Sequence, residues 1–399
     1  MLLFPRGHRR RGTCLTLAGG ALLACLAFVP SRSLIAEDAL SKPASLRGGL
    51  ELVLGQSLPI TGPSGQLGRD YRRGAISWFE HLNRQGGIHG RRIRLVSLDD
   101  QYEPDQTLRN TKQLLERRNL LALFGYVGTP TTKVALPLIE SEKVPLIAPM
   151  TGASLLRRPG LGMVFNLRAS YRKEIAVIVD GLVHDARHRI AVVYQNDAFG
   201  QDGLKGALAA LKSHGLEPVV TATVERNSDQ VSQAVDRLMK AQPNGVVIIS
   251  AYVSSAALAS DLRARGNRAQ IMNVSFVGTK ALQQAMPVGE ANGIGVAQVV
   301  PFPWNRWIPV VAEYQRLMRL THEDPSFGFT SLEGFLAARM MTEALQRAGA
   351  DPTRERLVEA LESIHSLDLG GFKLQMSRTD HQASDFVELT FLGSQSWEP

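Results

Sequence analysis

Short apolar runs bounded by glycine and polar turns alternate along this chain with longer stretches in which apolar residues return every third or fourth position. The runs read as buried strands and the stretches as helices with one buried face. Leu50–Ser57 opens the series as a strand. In Asp70–Gln85 the residues Tyr71, Ala75, Trp78, Phe79 and Leu82 share a face, and Gly86-Gly87 ends the helix. Strands follow at Arg92–Asp99, from Leu120 and at Val144–Ala148, with helices over Asp105–Arg117 and from Thr131. The pattern then restarts. Arg189–Tyr194, Glu217–Ala222, Gly245–Ser250, Gln270–Val274 and Gly293–Val300 read as strands, with helices at Phe199–His214, Gln230–Ala241 and Ala256–Arg265. Two later helices, Ile308–Leu320 and Ser331–Ala348, and a strand at Phe386–Leu392 complete the chain. Repeated strand–helix–strand units imply an α/β protein of two similar, Rossmann-like parts with parallel sheets covered by helices on both faces.

Ligands of open parallel sheets bind beyond the carboxyl ends of the strands. The loops there are Leu58–Gly68, Asp99–Tyr102, Gly125–Thr132, Pro149–Ala153, Gln195–Phe199, Ala251–Ser255 and Ser275–Thr279. Their small, hydroxyl and aromatic residues describe the lining of a binding cleft better than a reaction centre. The most pointed is Phe124-Gly125-Tyr126-Val127-Gly128-Thr129-Pro130-Thr131-Thr132. It predicts strand, tight turn and helix N-terminus, with Pro130 in the first turn where its missing N–H is not needed. Backbone N–H groups, the helix dipole and the hydroxyls of Thr129 and Thr131 suit a small carboxylate. The same stretch also reads as a hydroxyl-capped helix without a ligand.

The N-terminus departs from the pattern. Arg6, Arg9, Arg10 and Arg11 precede an uncharged run from Cys14 to Val29, a basic segment followed by an apolar one, as in a secretory signal. The run is shorter than the roughly 20 residues of a membrane-spanning helix. Leu22-Leu23-Ala24-Cys25 resembles a lipoprotein box, which makes Cys25 a candidate lipid anchor; cleavage after Ala36 is the competing choice. Residues 1–36 hold five arginines and no acid, so the net charge of +8 falls to +3 without them. The basic balance therefore carries no argument for a nucleic-acid partner. Cys14 and Cys25, the two cysteines of the chain, both lie in this segment, and the remainder has no disulfide or thiol chemistry.

No catalytic grouping is visible. The chain has no Gly-x-Ser-x-Gly elbow, no phosphate loop ending in Gly-Lys-Ser/Thr and no His-Glu-x-x-His. His184 and His188 lie among Asp185, Arg187 and Arg189, in the manner of a solvated helix end. No enzyme activity, cofactor or metal is expected. Phe302-Pro303-Trp304-Asn305-Arg306-Trp307 reads either as part of a cleft mouth or as packing for the late helices.

Several segments in order resemble the leucine/isoleucine/valine-binding family of periplasmic solute receptors. They are Leu58-Pro59-Ile60-Thr61-Gly62-Pro63, Gly86-Gly87-Ile88-His89-Gly90, Asp99-Asp100-Gln101-Tyr102-Glu103-Pro104, Gly125–Thr132, Val144-Pro145-Leu146-Ile147-Ala148-Pro149 and Asn196-Asp197-Ala198-Phe199-Gly200. The resemblance covers roughly residues 50–392. It implies the type I binding-protein fold: two lobes joined by a three-segment hinge that close on a ligand. Residues 50–168 plus 301–368 would form the N-terminal lobe, and 169–300 plus 369–399 the C-terminal lobe. The crossings would fall near Arg168, Pro301 and Gly370, and the two late helices would return to the first lobe.

The resemblance also implies contacts. Thr129 falls where the family places a hydroxyl on the ligand carboxylate, Leu67 on a wall position, and Tyr252 on an aromatic that covers the ligand from the second lobe. A family threonine aligns with Gly152, beside Thr151, and a tyrosine aligns with Phe199. Tyr171, just past the first crossing, joins the candidates. The acid that pairs the ligand ammonium aligns with Ser275. A buried ammonium without a charged partner costs several kcal/mol. Either Asp197 or Asp100 takes that role, or the ligand has no ammonium; Asp197 also reads as a helix cap. The expected ligand is a branched-chain amino acid by family default, with a related carboxylate, amide or urea-like compound as the alternative. The implied partner is an inner-membrane ABC permease, the expected location the periplasm, and the expected state a monomer. A sensory role and, further off, an enzyme on the same scaffold are the rivals.

Overall fold

Leu52–Leu58 (β1) is buried along its whole length, as befits an interior strand of a sheet covered on both faces. The computed structural model describes residues 51–393. Cys25 and the cleavage choices around it lie outside them. The first sheet runs β2–β1–β3–β4–β5, with β2 at Ile93–Asp99, β3 at Leu120–Phe124, β4 at Leu146–Ile147 and β5 at Val164–Phe165. All its pairings are parallel, with Leu54 opposite Leu95 and Leu123 opposite Leu146. Its crossovers contain α1 (Gly65–Arg84), α2 (Pro104–Leu115) and α3 (Thr129–Ser141).

The second sheet uses β6 (Ile190–Gln195), β7 (Val220–Val224), β8 (Gly245–Ile249), β9 (Gln270–Asn273) and β10 (Gly295–Gln298). Helices α4 (Tyr171–His184), α5 (Ala198–Ser213), α6 (Ser232–Ala241), α7 (Tyr252–Ala264) and α8 (Thr279–Ala285) accompany it. The remaining elements are α9 (Pro309–Thr321), α10 (Phe329–Ala348), α11 (Arg354–Glu362), the short pair β11 (Leu367–Asp368) and β12 (Lys373–Leu374), and β13 (Glu388–Phe391). β13 joins the second sheet antiparallel to β10, an edge strand of opposite sense on an otherwise parallel sheet. Helices α8 and α11 and strands β5, β11 and β12 were not among the expected elements, and of α4 only the end near His184 was.

The late helices pack on the first lobe. A Cβ on Gly74 would lie 1.7 Å from the Ser331 carbonyl oxygen, and one on Gly334 would lie 1.9 Å from that of Tyr71. Glycine on both helices therefore lets the α1 and α10 backbones touch. Trp78 closes the contact, with its ring 5.6 Å from Phe335 and its indole N–H donating to Thr342 at 2.8 Å. Helix α1 starts at Gly65, more than a turn before the apolar periodicity predicts. Gly68 explains it: a Cβ there would lie 1.8 Å from the Pro59 carbonyl oxygen, so the first turn lies directly on the preceding loop.

The lobes are connected beside Asn166. Its N–H donates to His381 at 2.9 Å and its carbonyl accepts from Ala383 at 2.8 Å, so residue 382 runs parallel to the first crossing. Gly370 lies against α9, where its carbonyl accepts from the Val310 N–H. Phe302 and Trp304 meet Phe329 at the start of α10 edge-on, which places that aromatic segment in packing with the late helices.

Candidate functional site

The turn after β3 is tied by backbone bonds to the loop after β4. Gly125 N–H donates to the Ile147 carbonyl, Met150 N–H to Tyr126 and Gly128 N–H to Met150. These bonds bring Thr129 and Thr151 together, with hydroxyl oxygens 2.7 Å apart and both residues buried. Gly128 has φ +98°, and a Cβ there would lie 2.2 Å from the Tyr102 ring. Only glycine meets both demands. Helix α3 opens without a side-chain cap and with Pro130 in its first turn. The Thr131 hydroxyl is spent locally, donating to the carbonyls of Val127 and Gly128.

Tyr171 begins α4, and its ring occupies the space that a Cβ on Gly152 would fill, 2.7 Å away. The Tyr171 N–H donates to the Gly152 carbonyl at 2.8 Å. From Tyr171 an arc of buried rings crosses between the lobes. Phe199 lies 4.9 Å from Tyr171, Phe276 4.9 Å from Phe199, and Tyr102 5.7 Å from Phe276. The Gln195 amide donates to the Tyr102 hydroxyl at 3.3 Å. Leu67 fills the space at Gly278, where a Cβ would lie 2.3 Å from its methyl. Tyr252 is half-buried opposite Gln66, and burial raises its phenol pKa.

Polar atoms at this junction are incompletely paired. Arg168 and Glu333 form a buried two-bond ion pair at 2.8 and 2.7 Å, yet Arg168 Nη1 has no partner. Burial lowers the affinity of that guanidinium for its proton, but Glu333 outweighs it and the pKa stands above its usual value. Glu174, also fully buried, accepts from the Ser275 N–H at 2.7 Å through Oε2, while Oε1 is unpaired. Burial pushes its carboxyl up to about 7, against the pull of Arg168 and of the Ser275 N–H and hydroxyl. Gln195 Oε1 is unpaired as well, while the Tyr171 hydroxyl leans on Thr151 without a close hydrogen bond.

The two acids singled out from the sequence are engaged elsewhere. Asp197 caps α5, accepting from the N–H groups of Phe199 and Gly200. Asp100 accepts from Ser57, Thr107 and the Tyr102 N–H within the first lobe, and burial pushes its carboxyl up to about 6. Glu174, Tyr102 and Phe276 lie at this junction without having been singled out as site residues from the sequence. Glu174 was legible in one respect: with Tyr171, Ile175, Ile178 and Leu182 it occupies the buried face of α4.

At the cleft rim the lobes touch. Ser64 donates to Asn227 at 2.7 Å, Arg226 to Glu103 at 2.7 Å, Asn227 to Glu103 at 2.8 Å and the Ser154 N–H to Asp202 at 3.0 Å. Two sheets that meet over hydroxyls, aromatic rings and unpaired polar atoms have the arrangement of a ligand-clamping protein.

Comparison with known proteins agrees. The periplasmic binding protein family model matches residues 51–390. The crystal structure of a possible leucine/isoleucine/valine-binding protein from Rhodopirellula baltica superposes with a TM-score of 0.83 at 33% identity, over 89% of this chain and 97% of that one. An amino acid binding protein of Pseudomonas aeruginosa is 24% identical, over 84% of this chain and 89% of its own. A branched chain amino acid ABC transporter structure from Thermus thermophilus, with bound valine, shares the fold at a TM-score of 0.78 and 19% identity, over 87% of this chain and 94% of that one. The chain belongs to the periplasmic binding protein family, of the leucine/isoleucine/valine-binding type.

Proposed function

We propose that this protein is an extracytoplasmic receptor that clamps a small carboxylate ligand of the amino-acid class and delivers it to an inner-membrane ABC importer. The observation that carries this reading is the set of buried, unpaired polar atoms at the lobe junction. Each such group costs about 1–3 kcal/mol when nothing satisfies it, so the lining calls for a polar occupant. The amino acid binding relative from Pseudomonas aeruginosa supports the ligand class. Thr129, Thr151 and the start of α3 receive the carboxylate. Leu67, Tyr102, Phe199, Phe276 and Tyr252 enclose the rest. The rim bonds favour the closed form, so ligand binding and closure are linked. The basic-then-apolar N-terminus directs export, with Cys25 as the anchor or Ala36 as the cleavage point.

The decisive experiment is mass spectrometry of small molecules released when the purified protein is denatured. Adding the compound back is expected to shrink the radius of gyration in solution scattering and to raise the melting temperature with concentration. Tight binding with an unchanged scattering profile counts against a hinged receptor.

A further inference from the structure

The position at which the family holds an ammonium-pairing acid is Ser275 in this chain, and directly behind it stands a carboxylate from another element. We propose that Glu174, in the first turn of α4, is the counter-charge for a cationic nitrogen on the ligand, which makes the ligand a zwitterionic amino acid rather than a plain carboxylate, amide or urea. This rests on the receptor reading above and assigns the chemistry of its second-lobe wall.

Glu174 is fully buried and has one oxygen without a partner. The Ser275 N–H holds the other oxygen at 2.7 Å, which fixes the carboxylate against the loop after β9. Beside it lie the hydroxyls of Ser275, which leans on Glu174 itself, and of Tyr171, which leans on Thr151; each hydroxyl oxygen keeps lone pairs to accept with. An ammonium has three N–H donors and no acceptor. Glu174 Oε1, Ser275 Oγ and Tyr171 Oη supply three acceptors, one of them charged.

The surrounding charges leave this role open. Arg168, on the first crossing, is neutralised by Glu333 of α10 through two hydrogen bonds. Arg157 donates to the carbonyls of Thr151, Ala153, Arg168 and Ala169. Neither guanidinium hydrogen-bonds Glu174, although both favour its ionised form, and Glu333 opposes it. Tyr171 is the other titratable group beside it, and its phenol is pushed up to about 12 by burial, so it stays a neutral partner. With a carboxyl that titrates near 7, Glu174 is poised to be ionised by a bound cation.

Titration calorimetry tests this with leucine, valine and phenylalanine against isocaproate, isovalerate and hydrocinnamate, which lack only the amino group. The wild type is expected to bind at least one amino acid about thirtyfold or more tightly than its des-amino partner. Glu174→Gln should erase that preference by weakening the amino acid while sparing the des-amino acid. Amino acid affinity of the wild type should fall at least about fivefold from about pH 8 to about pH 5.5 as Glu174 takes up a proton, and Glu174→Gln should flatten that profile. If the wild type prefers the des-amino acids, the Glu174 assignment is overturned and the receptor reading stands. Binding by Glu174→Gln that matches the wild type for the amino acid overturns it equally. If no member of the panel binds or changes the scattering profile, both readings fall.

Discussion

The two walls of the cleft are equally buried but are finished to different degrees. On the first-lobe wall each threonine hydroxyl of the turn has a protein partner: Thr129 has Thr151, and Thr131 and Thr132 have carbonyls of their own turn. On the second-lobe wall Glu174 Oε1 and Gln195 Oε1 have no partner, and the hydroxyls of Tyr171 and Ser275 make no close hydrogen bond, leaning only on Thr151 and Glu174. The first wall is a preformed cradle, stiffened by the backbone bonds that tie the β3 turn to the β4 loop. The second carries the unmet demand. On the proposed reading, the carboxylate turn is held rigid and the other half is left for the ligand to complete. Stability and binding should therefore respond differently to substitutions on the two sides.

The harshest way to break the comparison is at the joint between the walls. Arg168→Leu leaves Glu333 buried without its cation, which typically costs about 3–5 kcal/mol. Urea unfolding should show that loss, and a drop below about 1 kcal/mol would mean the pair does not hold the junction. On the finished wall, Thr129→Ala removes one hydrogen bond to a charged ligand group, worth about 1.5–3 kcal/mol. Binding should weaken roughly ten- to a hundredfold by calorimetry, with a modest fall in melting temperature because Thr151 loses its partner. Parent-like affinity would move the carboxylate away from this turn.

On the unfinished wall the sign reverses. The Glu174 carboxyl titrates near 7 in the fold, above its usual value, so the folded protein binds more protons than the unfolded chain between the two. Stability of the ligand-free protein from this group is then fully present below the usual carboxylate range and is lost as pH rises through about 7. Glu174→Gln should raise the unfolding free energy of the ligand-free protein by about 2 kcal/mol near pH 8 and change it little near pH 4. Chemical denaturation at the two pH values checks it; destabilisation at the higher pH would show that Glu174 already has a partner. The smallest effect belongs to Ser275→Ala. Its hydroxyl reaches only the Glu174 carboxylate, which the Ser275 N–H already serves, so the ligand-free melting curve should shift by no more than about 0.5 kcal/mol equivalent. A larger loss would mean that the hydroxyl, and not the N–H alone, holds Glu174 in place.

Much of the architecture was legible because its causes are local. Strand and helix periods, the glycine endings and the Gly125–Thr132 turn are set by residues within a few positions of one another. They place Thr129 at a helix N-terminus and Leu67, Phe199, Tyr252 and Ser275 on the segments that follow strands, and the structure has them there. The charge partners escaped that reasoning. Asp197, read both as a charge partner and as a helix cap, is the cap: its carboxylate serves the N–H groups two and three residues on. Glu174 was not singled out at all; it is an acid in a first helical turn, where the helix dipole favours any carboxylate.

What the chain determined by itself was the alternation of elements, the tight turn that only glycine at position 128 permits, and the supply of hydroxyls and rings at strand ends. Tertiary structure decided which of those groups are spent and which are free. The bond from Ser275 to Glu174 spans 101 residues, and that from Arg168 to Glu333 spans 165. The docking of α10 on α1 likewise depends on two glycines, Gly74 and Gly334, that meet only when the chain returns. Periodicity reports which face of an element is buried. It does not report what that face meets, because desolvation and hydrogen-bond satisfaction are properties of the partner across the interface.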